Sequence, residues 1–539
     1  MSGKRGFDTI IVGAGSAGCV LASRLSADPA RQVLLVEAGP RDRNPLIRVP
    51  LMAGFWFTNR YFNWCFETEP QAHMAGRRIP WPRGKVWGGS SSINGLLYVR
   101  GHPLDYEHWR EQGLTEWGWD GVLPCYRKAE RFLRGGDALH GGDGPLPVTR
   151  ADDAHPLAQA FLRAGQEAGH PYCDDFNNAD PVGVGTYDYN VHDGQRWSAA
   201  RAYLLPALAR PNLHVVSNAQ VMRVLLEKGR AAGIELRRRG GQGEEIRASG
   251  EVILSAGAVC SPALLLHSGI GPADALRKVG VPAQVDVPGV GRNLHDHLQA
   301  VVAHAAREPD GIYDLRRLDR LVPAMAGAIL AGRGAATQLP IRVGGFLKTE
   351  PSLSMPDVQI HYILGSGERT LRVPGLHRAS HDVRYGFNGS VCQLRPESRG
   401  EIFLKSADPL APPGIQPNYL ASEADRKAMR AGVRMMREIF AQSGFDDCRG
   451  AEKRPGPAVQ SDAELDRWVA QTALAVYHPV GSCRMGLDDM AVVDERLRVR
   501  GVDGLRVIDA SVIPRIIGGN THGVTVMIAE KGAGMIDAG

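Results

Sequence analysis

Eight cysteines in 539 residues, none of them spaced as Cys-x-x-Cys, supply neither a disulfide framework nor a zinc site, and point to a reducing, cytoplasmic setting. Charge of one sign is equally scarce. The formal balance is only +5, and the densest basic run, Arg237-Arg238-Arg239, is followed by Gly240-Gly241 and Glu244-Glu245. That pattern reads as a solvated hairpin and argues against a nucleic-acid partner. Long apolar runs are missing too. The most apolar helix-like piece, Leu321 to Leu330, contains Pro323 and Gly327 and ends near Arg333, so no transmembrane segment is expected. Peripheral attachment to the inner face of a membrane through that piece is the one membrane reading left open. A short polar start leads directly into an apolar run, which argues against a secretory leader. There is no internal repeat and no low-complexity tract.

What the chain does have is length enough for two large lobes, and an apolar and charged balance (43% and 22%) typical of a globular protein. Residues 7–12 read as a strand, 16–27 as a helix and 32–37 as a second strand, a βαβ opening. Val252-Ile253-Leu254 and Leu505-Arg506-Val507-Ile508 read as further strands of the same buried sheet. Between residues 340 and 405 the runs Phe346-Leu347-Lys348, Val358 to Ile363 and Glu401 to Leu404 instead suggest antiparallel strands separated by Pro and Gly turns. The expected fold is therefore an α/β, Rossmann-like nucleotide lobe assembled from separated stretches, with an α+β lobe on an antiparallel sheet inserted between them.

Gly13-Ala14-Gly15-Ser16-Ala17-Gly18 joins the first strand to the first helix. Gly13 makes the tight turn, Gly15 admits a pyrophosphate to the backbone, and Gly18 lets helix pack on strand. The helix start at Ser16 and Ala17 turns its N–H groups and partial positive charge to the phosphates. Glu37, followed by Ala38, ends the second strand, where a carboxylate accepts from ribose hydroxyls and repels a 2′-phosphate. The motif alone does not separate FAD from NAD.

Four further blocks carry a resemblance. They are Arg83-Gly84-Lys85-Val86-Trp87-Gly88-Gly89-Ser90-Ser91-Ser92-Ile93-Asn94-Gly95; Gly257 to Gly271, preceded by Ala256; Pro288 to His297; and Tyr477-His478-Pro479-Val480-Gly481-Ser482 with Val507-Ile508-Asp509-Ala510-Ser511. With the glycine loop they resemble, in order and from residue 7 to about 535, the glucose–methanol–choline oxidoreductases, and within them the choline-dehydrogenase-like branch of FAD-dependent alcohol dehydrogenases.

The resemblance implies FAD. It implies an FAD lobe made of residues 1–155, 205–300 and 465–539, and a substrate lobe made of 156–204 and 301–464. The loop holding Trp87, Gly89 and Ser90 would wrap flavin and pyrophosphate, with Asn94 and Gly95 beside the ring. Val221 would meet the adenine, and Asp509 and Ala510 the ribityl and phosphate region. Some relatives attach the flavin through a histidine; Ile93 stands at the matching position, so non-covalent binding is expected.

Taking a hydride from an alcohol requires that its proton leave, so the site needs a base working near neutral pH and a donor for the developing alkoxide. The resemblance makes His478 the base and Asn520 the donor. His522 departs from the usual Asn-x-Asn and is read as a flavin contact, with an alternative catalytic partner as the other reading. His295 and His297, flanking Asp296, make poor metal geometry and are read as structural. The expected activity is oxidation of a primary alcohol to the aldehyde, with electrons passed to a quinone or similar carrier. An oxidase releasing peroxide, and a flavin lyase or photodecarboxylase, are the alternatives.

Overall fold

The computed structural model describes residues 6–238, 240–307, 315–365 and 385–539. Two seven-stranded sheets organise these residues. The first runs Leu213–Val216, Val33–Val36, Phe7–Val12, Gly243–Leu254, Arg230–Arg238, Ala219–Glu227, with Leu505–Val507 paired to Gly243–Leu254. Its central strands are parallel. Ile10, Ile11, Leu35, Ile253 and Val507 are fully buried, as expected of strands covered on both faces. The strand Gly243–Leu254 changes character along its length. Its first half alternates in an antiparallel hairpin with Arg230–Arg238, and its second half is solidly apolar in the parallel sheet. Sequence patterning shows both the hairpin turn and the buried run Val252-Ile253-Leu254, but not that one continuous strand joins them.

The second sheet is antiparallel, in the order Arg449–Arg454, Leu298–Ala306, Gly386–Gln393, Val358–Ile363, Ile341–Leu347, Gly183–Thr186, with Leu474–Ala475 paired to Leu298–Ala306. The helix Glu423–Ala441 covers one face with Met429, Val433, Met436 and Phe440. Gly389 lets that helix come close: a Cβ there would lie 2.3 Å from the Met436 sulfur. The strand expected at Glu401 lies elsewhere. Glu401–Phe403 pairs only with Gly414–Gln416, in a two-stranded piece of its own, because Gly400 and the nearby prolines turn the chain away from the sheet.

The ends of the chain meet. Helix Ser16–Leu25 packs on helix Thr521–Asp537, and the fully buried Glu530 accepts from Arg24 Nη2 at 2.7 Å and from the Tyr203 hydroxyl at 2.9 Å. Both helices start at the central cavity, so this contact aligns two positive helix ends on one space. Among the described residues no helix is long and apolar enough to cross a membrane. Leu318–Ala331 does form a helix, with Pro323 inside it. Glu530→Ala would strand Arg24 and Tyr203, and is expected to cost roughly 3–5 kcal/mol of unfolding free energy, read as a lowered denaturant midpoint at unchanged slope.

Candidate active site

A cavity of about 1490 Å³ lies between the two sheets. Gly13, Gly15, Ser16 and Ala17 line one end, and the three glycines of the loop have separable tasks. Gly13 has φ +100°, and a Cβ there would lie 2.6 Å from Ser255 O. At Gly18 it would lie 1.8 Å from Gly13 O, whereas at Gly15 the nearest protein atom would be 3.7 Å away. Protein packing therefore demands glycine at 13 and 18 but not at 15. What needs room at Gly15 comes from the cavity side. The helix begins at Ser16 with no side chain capping it, which leaves its first N–H groups for an anion.

Glu37 and Ala38 line the same end. Glu37 Oε2 accepts from Ala14 N at 2.8 Å and Oε1 from Gly39 N at 2.7 Å, so each oxygen keeps one lone pair for a ribose hydroxyl. Burial pushes its carboxyl up to about 7, against those backbone bonds. Gly89, Ser90, Asn94 and Gly95 line the cavity beside this loop, Gly89 close against Gly15, and Val221, Ala256, Asp509 and Ala510 line it as well. Asp509 is saturated by its own chain: Oδ2 accepts from Gly257 N and Ser261 Oγ, and Oδ1 from Ser511 N and Oγ. Gly18 sits under the loop, packing helix on strand as its place in the motif implies. One residue expected at the cofactor lies behind the cavity wall. Trp87 faces the core, its indole N–H donating to Ser217 Oγ at 2.8 Å and the Arg41 guanidinium stacked on its ring.

The chemistry gathers where His478, Asn520 and His522 line the cavity. Helix Thr521–Asp537 starts after Asn520, yet the Asn520 side chain does not cap it. Its Oδ1 accepts from Gln359 Nε2 at 3.1 Å, and its amide nitrogen lies 3.2 Å from His478 Nε2. An amide nitrogen only donates, so His478 Nε2 is an acceptor. The other ring nitrogen settles the tautomer. His297 Nε2 lies 3.2 Å from Leu394 O, which can only accept, so it carries the proton there. Burial drives His297 down to about 3 and keeps it neutral, leaving its Nδ1 bare, 3.0 Å from His478 Nδ1. His478 therefore donates from Nδ1 and turns an unprotonated Nε2 toward Asn520 and the cavity. Burial first, then the neighbouring His297, His361 and Arg83, holds His478 well below its ordinary value.

The backbone at His478 is held as tightly. Tyr477 has φ +69°, an unfavourable state for an aromatic residue. Arg83 donates to Tyr477 O, and His478 N donates to Asp296 Oδ1 at 2.6 Å. Tyr419 and Trp81 continue the chain behind Asp296, whose carboxyl burial pushes up to about 6. The run His295-Asp296-His297, read from sequence as structural, thus divides. His295 bonds only backbone, at Asn293 and Ile516, whereas Asp296 and His297 hold the histidine 182 and 181 residues away. No group that could bind a metal is found among the described residues. His522 Nδ1 lies 3.0 Å from Ser16 Oγ, and its buried Nε2 has no partner. Gln359 Oε1 and His361 Nε2 are likewise buried without one. These orphan atoms, the open Gly15 and the uncapped helix fit a bound dinucleotide with a polar ring system.

Two expectations follow. Gly15→Ala should give a folded protein that no longer retains dinucleotide, whereas Gly18→Ala should fail to fold, as read by thermal unfolding and bound-cofactor absorbance. Because His478 sits well below its ordinary value, it is unprotonated at neutral pH, and its protonation should limit kcat/KM only well below pH 6.5. His297→Phe frees the tautomer, and should forfeit part of the roughly 10²–10⁴-fold that a positioned base supplies.

The family described as GMC oxidoreductase matches this chain over residues 7–299 and again over 396–529. The mitochondrial choline dehydrogenase of Homo sapiens is 43% identical across 98% of this chain and 89% of that protein. An alcohol dehydrogenase [acceptor] of Pseudomonas putida is 43% identical across 98% and 95%. Among solved structures, pyridoxine 4-oxidase from Mesorbium loti superposes with a TM-score of 0.89 at 33% identity, over 99% of both chains. A formate oxidase gives 0.91 at 28%, over 100% of this chain and 99% of that one. The chain belongs to the GMC oxidoreductase family, and it is an FAD-dependent oxidoreductase acting on CH–OH donors.

Proposed function

We propose that the protein oxidises an uncharged primary alcohol to the aldehyde and passes the electrons to a quinone or similar carrier. The observation that carries this reading is the unprotonated Nε2 of His478, shared with the Asn520 amide on the cavity lining. His478 Nε2 takes the hydroxyl proton. Asn520 donates to the oxygen as negative charge grows on it, without competing for the proton. Bound FAD supplies the hydride acceptor. Gly13, Gly15, Ser16, Ala17 and Glu37 would hold its adenosine and pyrophosphate in a Rossmann-like seat, Asp509 and Ala510 would border the ribityl and phosphate region, and Asn94, Gly95 and His522 would hold its ring. The binding is read as non-covalent because Ile93 offers no nucleophile.

The sheets support a division into an FAD lobe of residues 1–155, 205–300 and 465–539 and a substrate lobe of 156–204 and 301–464, with Leu474–Ala475 reaching across into the second sheet. Eight unpaired cysteines support a reducing, cytoplasmic setting. The exposed Val322 and Leu330 of helix Leu318–Ala331 support attachment at the inner face of a membrane.

The charge of the cavity favours neutral substrates. Among the described lining residues the carboxylates are Glu37, Asp509 and Glu67. Asp509 is saturated by its own chain, Glu37 is bonded to the backbone of Ala14 and Gly39 and placed for a ribose, and Glu67 is exposed. A quaternary ammonium substrate would find aromatic faces at Phe57, Trp64 and Tyr477, but among the described lining residues no further carboxylate to pair with. Several relatives are choline dehydrogenases, which makes the point testable. In anaerobic reduction of the flavin, an uncharged primary alcohol should exceed choline by at least about tenfold in kcat/KM, a difference of about 1.4 kcal/mol. Choline matching the best neutral alcohol would remove the substrate reading. A flavin-replete protein that stays yellow with every alcohol would remove the roles given to His478 and Asn520. Rapid return of colour in air would favour an oxidase, the chemistry named for two structural neighbours.

A further inference from the structure

Arg196 is 2% exposed and has no carboxylate partner among the described residues. Elsewhere the chain pairs its buried guanidinium groups: Arg100, fully buried, is bonded to Glu130, also fully buried. Arg196 instead spends its donors on neutral oxygens. Nε donates to Ile47 O at 3.1 Å and Nη1 to Ser91 O at 3.1 Å. Nη1 also donates to Asn94 Oδ1 at 2.7 Å, and Nη2 to Asn94 O at 2.8 Å. Ser91 and Asn94 belong to the loop that walls the cavity.

Two consequences follow from chemistry alone. A guanidinium only donates, so the Asn94 atom facing it is the carbonyl oxygen, which also accepts from Leu96 N at 3.2 Å. The Asn94 amide nitrogen is thereby the end left for the cavity. Second, a full positive charge sits directly behind that loop with nothing to neutralise it. Burying a cation this way is costly, and packing alone would be served as well by a neutral side chain.

We propose that Arg196 is a positioning residue and fixed buried cation for the flavin: it turns the Asn94 amide N–H toward the ring and raises the ring's electron affinity. The proposal rests on the reading that the 89–95 loop bears the flavin ring. In the reaction the alkoxide C–H bond breaks, both of its electrons leave with the hydrogen as hydride, and the aldehyde forms. One negative charge passes from substrate to cofactor, and a charge fixed nearby stabilises the site after that transfer more than before it.

Flavin midpoint potentials of the holoenzyme test this, because a merely structural clip would not move them in a charge-dependent way. Arg196→Gln keeps an amide donor for Asn94 but loses the charge. Its potential should fall by at least the equivalent of a tenfold change in the two-electron equilibrium, about 30 mV. Arg196→Lys keeps the charge only while the buried amine is protonated, and burial lowers a lysine pKa into the working range. Its potential should match the wild type at low pH and step toward the glutamine value as pH rises, a step absent from the wild type. Equal potentials in wild type and Arg196→Gln would overturn the proposal. If that variant does not retain FAD, the lysine titration decides, and a lysine profile parallel to the wild type overturns it. A wild-type chain that binds no FAD would instead defeat the flavin reading itself, before any variant is compared.

Discussion

A buried imidazole kept neutral, with one chosen nitrogen bare, is the constraint on which the rest of this site depends. Burial alone would remove the charge but leave either tautomer available. The bond between the two Nδ1 atoms of His297 and His478 selects one, and Leu394 O selects the tautomer of His297 in turn. A carbonyl just past the strand Gly386–Gln393 thus determines which nitrogen of a residue from the C-terminal part of the chain faces the cavity. Asp296 and Arg83 fix the backbone under the ring, at the cost of a left-handed Tyr477. Strain of this kind persists only where neighbours over-determine the conformation, and here two side chains from distant segments do so.

The glycine-loop side of the cavity is built on backbone. Glycine at 13 and 18 is dictated by the closeness of helix, strand and the Ser255 carbonyl, and glycine at 15 by what the cavity receives. The helix starting at Ser16 and the one starting at Thr521 meet through Ser16 and His522. The phosphate end and the reacting end are therefore parts of one rigid construction. Asn520 is the pivot: a residue placed to cap a helix uses its amide on Gln359 and His478 instead.

Much of this was legible in the sequence where meaning is local. The opening βαβ unit, the glycine loop, Glu37 and the order of the signature blocks can be read along the chain, because each depends on neighbours a few residues away. Motif spacing does not say which way a side chain points, so Trp87, inside a genuine motif, is expected at the cofactor although its indole faces the protein. The hairpin at Arg237 to Glu245 and the antiparallel strand at Glu401 are legible as elements, but alternation and turns do not reveal the partner of Glu401–Phe403. His297 and Asp296 were visible as an unusual triplet, but their meaning lies in a contact across about 180 residues. Arg196 carried no signal at all, since a lone arginine after a glutamine looks like surface until its neighbours are known.

The pairing of the first and last helices also has a bearing on how the protein is made. The Ser16–His522 and Arg24–Glu530 bonds each join residues 506 positions apart, and Leu505–Val507 is needed to finish the sheet begun by Phe7–Val12. Contacts so remote in sequence form late, and a ribosome delivers the N-terminal partner well before the C-terminal one. The glycine loop emerges first but has neither its facing helix nor its last strand until Leu505–Val507 and Thr521–Asp537 have been made. A nascent chain released before them would carry the whole phosphate-binding motif and still lack the completed pocket.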